Sequence, residues 1–414
     1  MSRCVVIGSG AREHALAWAL AKSADVVVTP GNPGIAAHGI TCVDTPSTEL
    51  DGDLFVIGPD QLVVDGLADL LRAQGKTVVG PGADGAQLEG SKAYLKEFLE
   101  SADVPSAAYG VFDDEAEALA YLATMTPPYV IKTDGLAAGK GVLVTSDLDE
   151  ACDDVREKLS GRAFDGAGRT VVIEEGLDGP ECSLMVLCDG VHVTTLVPSQ
   201  DFKRLGDGDV GANTGGMGAY APMDSLSSTQ IDDVMERIVS PTVQELQRRD
   251  IDYRGVLYAG IMLTSKGPMI LEYNARFGDP ETQALVPLYG DGLFDLLLSV
   301  GEGRLTTSSP VVSGAAVTVV LASHGYPQSP RRGDVITGLG RDGQLAEAVE
   351  GVMVFHAGTA TDAHGDFVTA GGRVLAVTGV GATLAEARRR AYEGAALITF
   401  EGRVMRSDIA LAVA

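Results

Sequence analysis

The chain has 414 residues, 45% hydrophobic and 5% aromatic, with 52 glycines and 57 acidic against 31 basic residues, a net charge of −26. That length predicts two or three domains, each large enough for its own core, and the surplus of carboxylates excludes a surface that attracts nucleic acid or anionic membranes. It holds no apolar run of roughly 18 residues, so no transmembrane helix is expected. The start, "MSRCVVIGSGAREHALAW", lacks the features of a signal peptide, and a cytoplasmic monomer is expected.

The first ninety or so residues alternate strand and helix. "RCVVIG" reads as an apolar strand and "REHALAWALAKS" as an amphipathic helix. "DVVVTPGN" and "DLFVIGPD" are further strands, "VVDGLADLLRAQG" a single helix stopped by Gly75, and "KTVVGPG" a strand. This βαβ rhythm predicts a parallel sheet with ligands at the carboxyl ends of its strands. From "GSKAYLKEFLESADVP" the pattern changes to mixed helices and hairpins: "AAYGVF", "DEAEALAYLATM", "PYVIKTD", "VLVTS", "RTVVIEEGL" and "ECSLMVLCDGVHVTTLVPSQD". A helical segment around "QIDDVMERIVSPTVQELQRR" precedes the strand–turn–strand "GVLYAGIMLTSKGPMILEYN". A third block begins near Val311 and ends in the helix "TLAEARRRAYEGAALI". Soft boundaries fall near Gly90 and Ser309.

Five cysteines (Cys4, Cys42, Cys152, Cys182, Cys188) are scattered without a C-x-x-C pair, so neither a disulfide framework nor a zinc site is expected. Lysine is scarce, with none after Lys266. The acidity reads as adaptation to high salt, where ions screen self-repulsion, against the plainer alternative of an ordinary acidic enzyme.

In "VIKTDGLAAGKGVLVT", the Gly-Lys-Gly is not a P-loop: only three residues separate Gly135 from Gly139, and Gly141 stands where the hydroxyl belongs. A hairpin loop is expected instead, whose bare glycines let backbone amides approach a polyphosphate, with Lys140 at its tip and Lys132 on the strand before it. The plainer alternative is a surface hairpin with solvated lysines. In "VVIEEGLDGPE", a strand ending in Glu174 and Glu175 suits an adenosine pocket, with backbone around Glu175 and Leu177 on the adenine edge and Glu181 on the ribose. In "MILEYNARFGDPETQ", strand alternation puts Glu272 and Asn274 on one face. These are hard oxygen ligands of the kind Mg²⁺ prefers, and Arg276 beyond them suits a phosphate; a hydrogen-bonded turn is the alternative. "SQDFKRLGDGDVGANTGGMGAY" sets Asp201, Lys203 and Arg204 before a second glycine-rich loop, again an anion-binding combination. "GSGAREH" fails as a dinucleotide fingerprint because Glu13 replaces its third glycine. The helix start can still bind one phosphate through Arg12 and the turn amides, with Glu13 and His14 ordering it.

Taken in order, the lysine-bearing strand, "GKG" loop, "EE-x-L-x-G-x-E" and "E-x-N-x-R" resemble the ATP-grasp superfamily. More narrowly, "GSGAREHALAW", "QLEGSKAYLKEFL", "IKTDGLAAGKGV", "ANTGGMGAY" and "RFGDPETQ" are similar to the phosphoribosylamine–glycine ligase family over essentially the whole chain. The resemblance implies an N-terminal α/β parallel-sheet (pre-ATP-grasp) domain at residues 1–90. It further implies a two-lobed ATP-grasp domain at 91–308 with a mobile lid lobe at about 106–180, and a small C-terminal α+β domain at 309–414. It implies an ATP-dependent ligation of glycine to 5-phosphoribosylamine through glycyl phosphate, with Mg²⁺ or Mn²⁺. Lys92, Lys132, Gly139, Lys140 and Gly141 would handle the ATP phosphates, Glu174, Glu175, Leu177 and Glu181 adenosine, and Glu272 and Asn274 the metal. Gly8, Gly10, Arg12, Glu13, His14, Asn32, Arg204, Asn213, Gly215, Gly216, Gly218 and Asp279 would frame the substrates, with Arg276, Lys203 and Asp201 catalytic. The chain departs from the family pattern at Phe202, where His is usual, at Ala212, where Pro is usual, and at Asp60, where Glu is usual. Other ATP-grasp ligases, a nicotinamide dehydrogenase and a non-catalytic nucleotide sensor are the competing readings; the broken fingerprint opposes the second, and the paired Glu272 and Asn274 the third.

Overall fold

The computed structural model describes residues 1–137, 141–161, 169–306 and 311–414. The N-terminal strands β1 (Arg3–Gly8), β2 (Asp25–Pro30), β3 (Thr41–Cys42), β4 (Leu54–Ile57) and β5 (Val78–Val79) form a parallel sheet in the order β3-β2-β1-β4-β5. Their Val/Ile/Leu runs are buried on both faces, as a helix-covered parallel sheet requires. Helix α1 (Ala11–Leu20) carries the chain from β1 to one side, and β4 lies on the other. The carboxyl ends of β1 and β4 therefore flank the point where strand order reverses, the usual ligand crevice of such a sheet.

At that crevice the Glu13 carboxylate accepts from Gly10 N–H and from Arg12 Nε, the latter at 2.6 Å. A Cβ on Gly58 would lie 2.0 Å from Glu13 Oε1, and one on Gly8 2.6 Å from Glu13 Cγ. The glycines of β1 and of the turn after β4 thus make room for one buried carboxylate. "VVDGLADLLRAQG" is two helices, Asp60–Val64 and Leu67–Ala73, rather than the single one expected. Gly66 between them is left-handed, at φ 79°.

Next come β6 (Tyr109–Phe112), β7 (Tyr129–Thr133), β8 (Val142–Thr145) and β9 (Val171–Glu175), antiparallel in the order β6-β9-β7-β8. Helices Glu115–Leu122 and Leu148–Leu159 cover one face, packing Ala118, Leu122, Ala151 and Val155 on Tyr129, Ile131, Val171 and Ile173. Alternation along β7 then sends Lys132 to the opposite face.

The chain continues through β10 (Glu181–Asp189), β11 (Val193–Thr195), β12 (Gln200–Asp201), the hairpin β13 (Arg204–Gly206) and β14 (Val210–Asn213), and β15 (Gly218–Ala221). After helices spanning 228–248 come β16 (Arg254–Thr264) and β17 (Gly267–Asn274). The order β11-β10-β16-β17 makes a second four-stranded antiparallel sheet. The last block supplies β18 (Ala315–Ala322), β19 (Val352–His356), the hairpin β20 (Thr359–Thr361) and β21 (Phe367–Thr369), β22 (Arg373–Gly381) and helix Leu384–Leu397. Its sheet, β12-β15-β18-β22-β19, takes in two strands from the middle of the chain. Among the described residues no single helix is long and apolar enough to cross a membrane.

Gly58→Ala is expected to displace Glu13 and lower stability by about 1–3 kcal/mol, the usual range for overpacking. Urea unfolding of Gly58→Ala, Glu13→Ala and the double variant checks this. The double variant should be clearly less destabilised than the sum of the singles, because both changes act on one contact.

Candidate functional site

The cleft lies between the β6-β9-β7-β8 sheet and β17. Lys132 Nζ bridges them, donating to Leu271 O on β17 at 3.0 Å and standing 3.0 Å from Glu174 Oε1 on β9. Lys96, on helix Lys92–Ser101, approaches the same oxygen at 3.3 Å. All three side chains are buried. Burial pulls Lys96 down to about 8, against the opposing pull of Glu174. Strand alternation turns Glu175 the other way, where its carboxylate accepts from Ala108 N–H at 3.0 Å. Glu174 is therefore a counter-ion for two lysines. Leu177 lies in the link from β9 to β10. Glu181 opens β10 and accepts from Lys203 at 2.9 Å.

Lys92 Nζ donates to Gly135 O at 2.9 Å, tying its helix to the loop after β7. Asp134 in that loop accepts from Ser91 Oγ and Ala93 N–H, and Thr133 N–H donates to Gly141 O, closing the loop's base. Gly139 and Lys140 lie outside the described residues.

On β17, Tyr273 is buried on the far side with its hydroxyl 2.7 Å from Thr242 Oγ1, leaving Glu272 and Asn274 on the cleft face. Burial alone would raise the Glu272 carboxyl; the positive charges of Lys203, Lys132, Lys92 and Arg276 outweigh it and hold it below its ordinary value. Arg276 donates to Asn274 Oδ1 at 3.1 Å, to Glu89 Oε1 at 2.7 Å and to Phe277 O at 3.2 Å. The other Glu89 oxygen accepts from Ala275 N–H at 2.7 Å. An ionised carboxylate beside an amide oxygen fits a hard divalent cation. Among the described residues no group of three His, Cys, Asp or Glu could hold a metal alone, so such a cation would need further oxygens from a ligand.

A second charged cluster adjoins. Lys203 Nζ stands 3.8 Å from Asp201 Oδ1. Burial, helped by Glu281, Glu181 and Glu272 and opposed by Lys203, lifts Asp201 to about 7. Tyr258 donates to Glu281 Oε1 at 2.8 Å and meets Ser183 Oγ at 2.8 Å. Arg204 and Asn213 are paired across the β13–β14 hairpin, where the Arg204 guanidinium donates to Gly211 O. Gly215 and Gly216 form the turn into β15, and Gly218 opens that strand. Gly216 has φ 106°, and a Cβ there would lie 2.5 Å from Pro280 Cδ. Asp279 pairs with Arg373 at 2.9 Å and accepts from Gln283 at 2.7 Å.

At the N-terminal crevice, Arg12 donates to Phe277 O at 3.1 Å, joining α1 to the loop after β17. Asn32 caps helix Pro33–Ala37 and donates to Ser9 O and His356 O. His14 departs from its expected place among the substrate groups. It is wholly buried, its Nδ1 accepts from His356 N–H at 2.9 Å and its Nε2 lies 3.1 Å from His38 Nδ1. Burial and the neighbouring His356 and His38 hold it neutral, well below its usual value. It is packing between α1 and the C-terminal block, turned away from the crevice by the helical register that brings Glu13 in.

Family models describing the N, ATP-grasp (A) and C domains of phosphoribosylglycinamide synthetase match residues 2–89, 90–282 and 316–412. The chain is 46% identical to a phosphoribosylamine–glycine ligase of Streptomyces coelicolor, covering 99% of this chain and 98% of that one. It is 44% identical to another of Caulobacter vibrioides, covering 98% and 97%. The crystal structure of the Thermotoga maritima phosphoribosylamine–glycine ligase superposes with a TM-score of 0.86 at 37% identity, over 98% of this chain and all of that one. The chain belongs to the phosphoribosylglycinamide synthetase family. A biotin carboxylase domain of Hydrogenobacter thermophilus, at 16% identity and TM-score 0.71, shares the fold.

As a member of this synthetase family the chain is an ATP-grasp ligase. Sequence reasoning did not single out Glu89, Lys96, Tyr258, Glu281 or Arg373. Glu89 and Lys96 sit inside the quoted "QLEGSKAYLKEFL", but their partners lie far along the chain, and no local pattern signals Arg373. Glu174→Gln is expected to destabilise the synthetase by about 3 kcal/mol, since it leaves two buried ammonium groups without their carboxylate. Lys96, at about 8 in the fold and 10.5 when unfolded, binds fewer protons folded, so stability rises with pH between those values. The Glu174→Gln deficit should therefore shrink from pH 7 to about pH 10, where Lys96 can shed its proton, and urea unfolding at both pH values measures it.

Proposed function

We propose that the enzyme joins glycine to 5-phosphoribosylamine at the expense of ATP, giving glycinamide ribonucleotide, ADP and phosphate, a step of purine biosynthesis. The observation that carries this reading is the convergence of Lys92, Lys132, Lys203 and Arg276 on Glu272, which lies beside Asn274. In a chain with net charge −26, that many cations at one cleft fit a polyphosphate.

The chemistry explains the arrangement. A carboxylate is a poor acyl donor because oxide would have to leave. Transfer of the γ-phosphoryl group of ATP to glycine's carboxylate gives glycyl phosphate, which the amine of phosphoribosylamine attacks, releasing phosphate. Positioning and charge neutralisation dominate such transfers. Lys92 and Lys132, with the loop carrying Gly139, Lys140 and Gly141, hold the phosphates. Backbone around Glu175 and Leu177 takes the adenine and Glu181 the ribose, while Glu174 fixes Lys132. Mg²⁺ or Mn²⁺ held by Glu272 and Asn274 would supply neutralising charge at the β- and γ-phosphates. Arg12 and the amides around Gly8 and Gly10 receive the phosphate of phosphoribosylamine, and Arg204, Asn213, the Gly215–Gly218 turn and Asp279 enclose the remainder. Lys203 balances charge on the acyl phosphate, and Asp201 accepts the proton the amine loses as the C–N bond forms. The working unit is a monomer, and exclusion of water by the lobe carrying β6–β9 protects the intermediate.

ADP release should require both glycine and phosphoribosylamine; release unchanged when either is omitted would overturn the assignment. Glu272→Gln should lower turnover by at least about 100-fold, the scale of losing one electrostatic stabiliser, with the nucleotide's metal requirement weakened in titrations. Because Asp201 is protonated below about 7, the rate should rise with pH through that value. Asp201→Asn should remove this ascending limb, and a profile of unchanged shape would exclude Asp201 as the base.

A further inference from the structure

Arg373 opens β22 in the C-terminal block, outside every motif that the sequence presents as functional. One guanidinium nitrogen donates to Gly215 O, to Asp279 O at 2.8 Å and to Gly216 O at 3.5 Å; the other donates to Asp279 Oδ2 at 2.9 Å. The side chain is 21% exposed. It therefore joins the glycine-rich turn before β15 to the Asp279–Pro280 turn after β17, two segments that share no sheet.

The surroundings are shaped around this contact. A Cβ on Gly215 would lie 3.2 Å from the Arg373 guanidinium carbon, so the first glycine of "TGGMG" makes room for the arginine. A Cβ on Gly372 would lie 2.4 Å from the Tyr326 ring, whose hydroxyl accepts from Gly215 N–H at 3.1 Å. Both backbone polar groups of Gly215 are thus held by the C-terminal block. Asp279 also feels Arg12 of the N-terminal crevice: burial would raise its carboxyl, and Arg373 with Arg12 holds it below its ordinary value. The turn that Arg373 fixes accordingly borders the side of the cleft assigned above to phosphoribosylamine.

We infer that Arg373 is a positioning residue for the acceptor substrate, setting the Gly215–Gly216 turn and Asp279 in the register that binds phosphoribosylamine, while leaving the nucleotide site unaffected. This rests on the ligation reading given above. A planar fork with two donating edges spans the acceptors on both turns; a lysine ammonium, a point charge, cannot reproduce it.

The test uses the full-length chain with ATP, glycine and phosphoribosylamine, comparing wild type with Arg373→Lys and Arg373→Ala. The wild-type arm decides the underlying reading, since it must ligate for the variants to be interpretable. Misplacement of the turn should raise KM for phosphoribosylamine by about 10- to 100-fold in Arg373→Ala and less in Arg373→Lys, with KM for ATP within about twofold of wild type. Added guanidinium ion at low millimolar concentration should recover part of the loss in Arg373→Ala but not in Arg373→Lys. An unchanged KM for phosphoribosylamine overturns the proposal. So does an equal rise in the KM for ATP, or failure of both variants to fold, since either makes Arg373 a general strut.

Discussion

A carboxylate stays ionised inside a protein only if positive charge or well-aimed hydrogen-bond donors are buried with it, and the cleft uses positive charge. Glu272 is held ionised by cations from four places: the start of helix Lys92–Ser101, strand β7, the segment after β12 and the turn after β17. Each cation is in turn fixed by a partner, Gly135 O for Lys92, Glu174 for Lys132, Glu181 for Lys203 and Glu89 for Arg276. The two sheets of the cleft are thereby joined through charges that a phosphate and a divalent cation can share. Of the lysines proposed to hold the phosphates, Lys92 is set in place by a backbone carbonyl and Lys132 by a carboxylate, the kind of preorganisation on which electrostatic catalysis depends.

The N-terminal crevice follows the same logic with the opposite outcome. In a dinucleotide-binding sheet the third glycine of the fingerprint allows close helix–strand packing. Here Glu13 takes that position, and its carboxylate sits among Gly8, Gly10 and Gly58 beside the Arg12 guanidinium. A nicotinamide nucleotide would have to displace a buried ion pair. The fold of the crevice is kept while the side chains that line it differ, as is common for sites grafted onto widely used folds.

How far the sequence revealed this site depended on the range of each interaction. The period-2 alternation of a strand is local, so the shared face of Glu272 and Asn274 and the inward turn of Lys132 were both legible. The same alternation decides between Glu174 and Glu175, but only once the covered face of the sheet is known. That face is set by helices Glu115–Leu122 and Leu148–Leu159, and it makes Glu174 the lysine counter-ion. Glu89 meets Arg276 from 187 positions away, and no spacing rule reaches that distance. His14 reads as a site residue because it adjoins Arg12 and Glu13, yet one further step around a helix carries it to the other side. The single helix expected over Val63–Gly75 fails at Gly66, whose left-handed backbone ends the first segment.

Strand β15, with β12 on its outer edge, leaves the central region to pair with β18 of the terminal block before the chain returns to form β16. Cutting the chain near residue 309 would therefore not release an intact nucleotide-binding half. It would strip the partner from β15, expose an edge of unpaired amides and carbonyls and favour self-association. It would also leave Asp201, at the end of β12, on a two-stranded ribbon cut off from the rest of its sheet. The polypeptide is divisible on paper into three consecutive modules, but its hydrogen-bonded fabric is woven across the seam between the last two, which share one sheet.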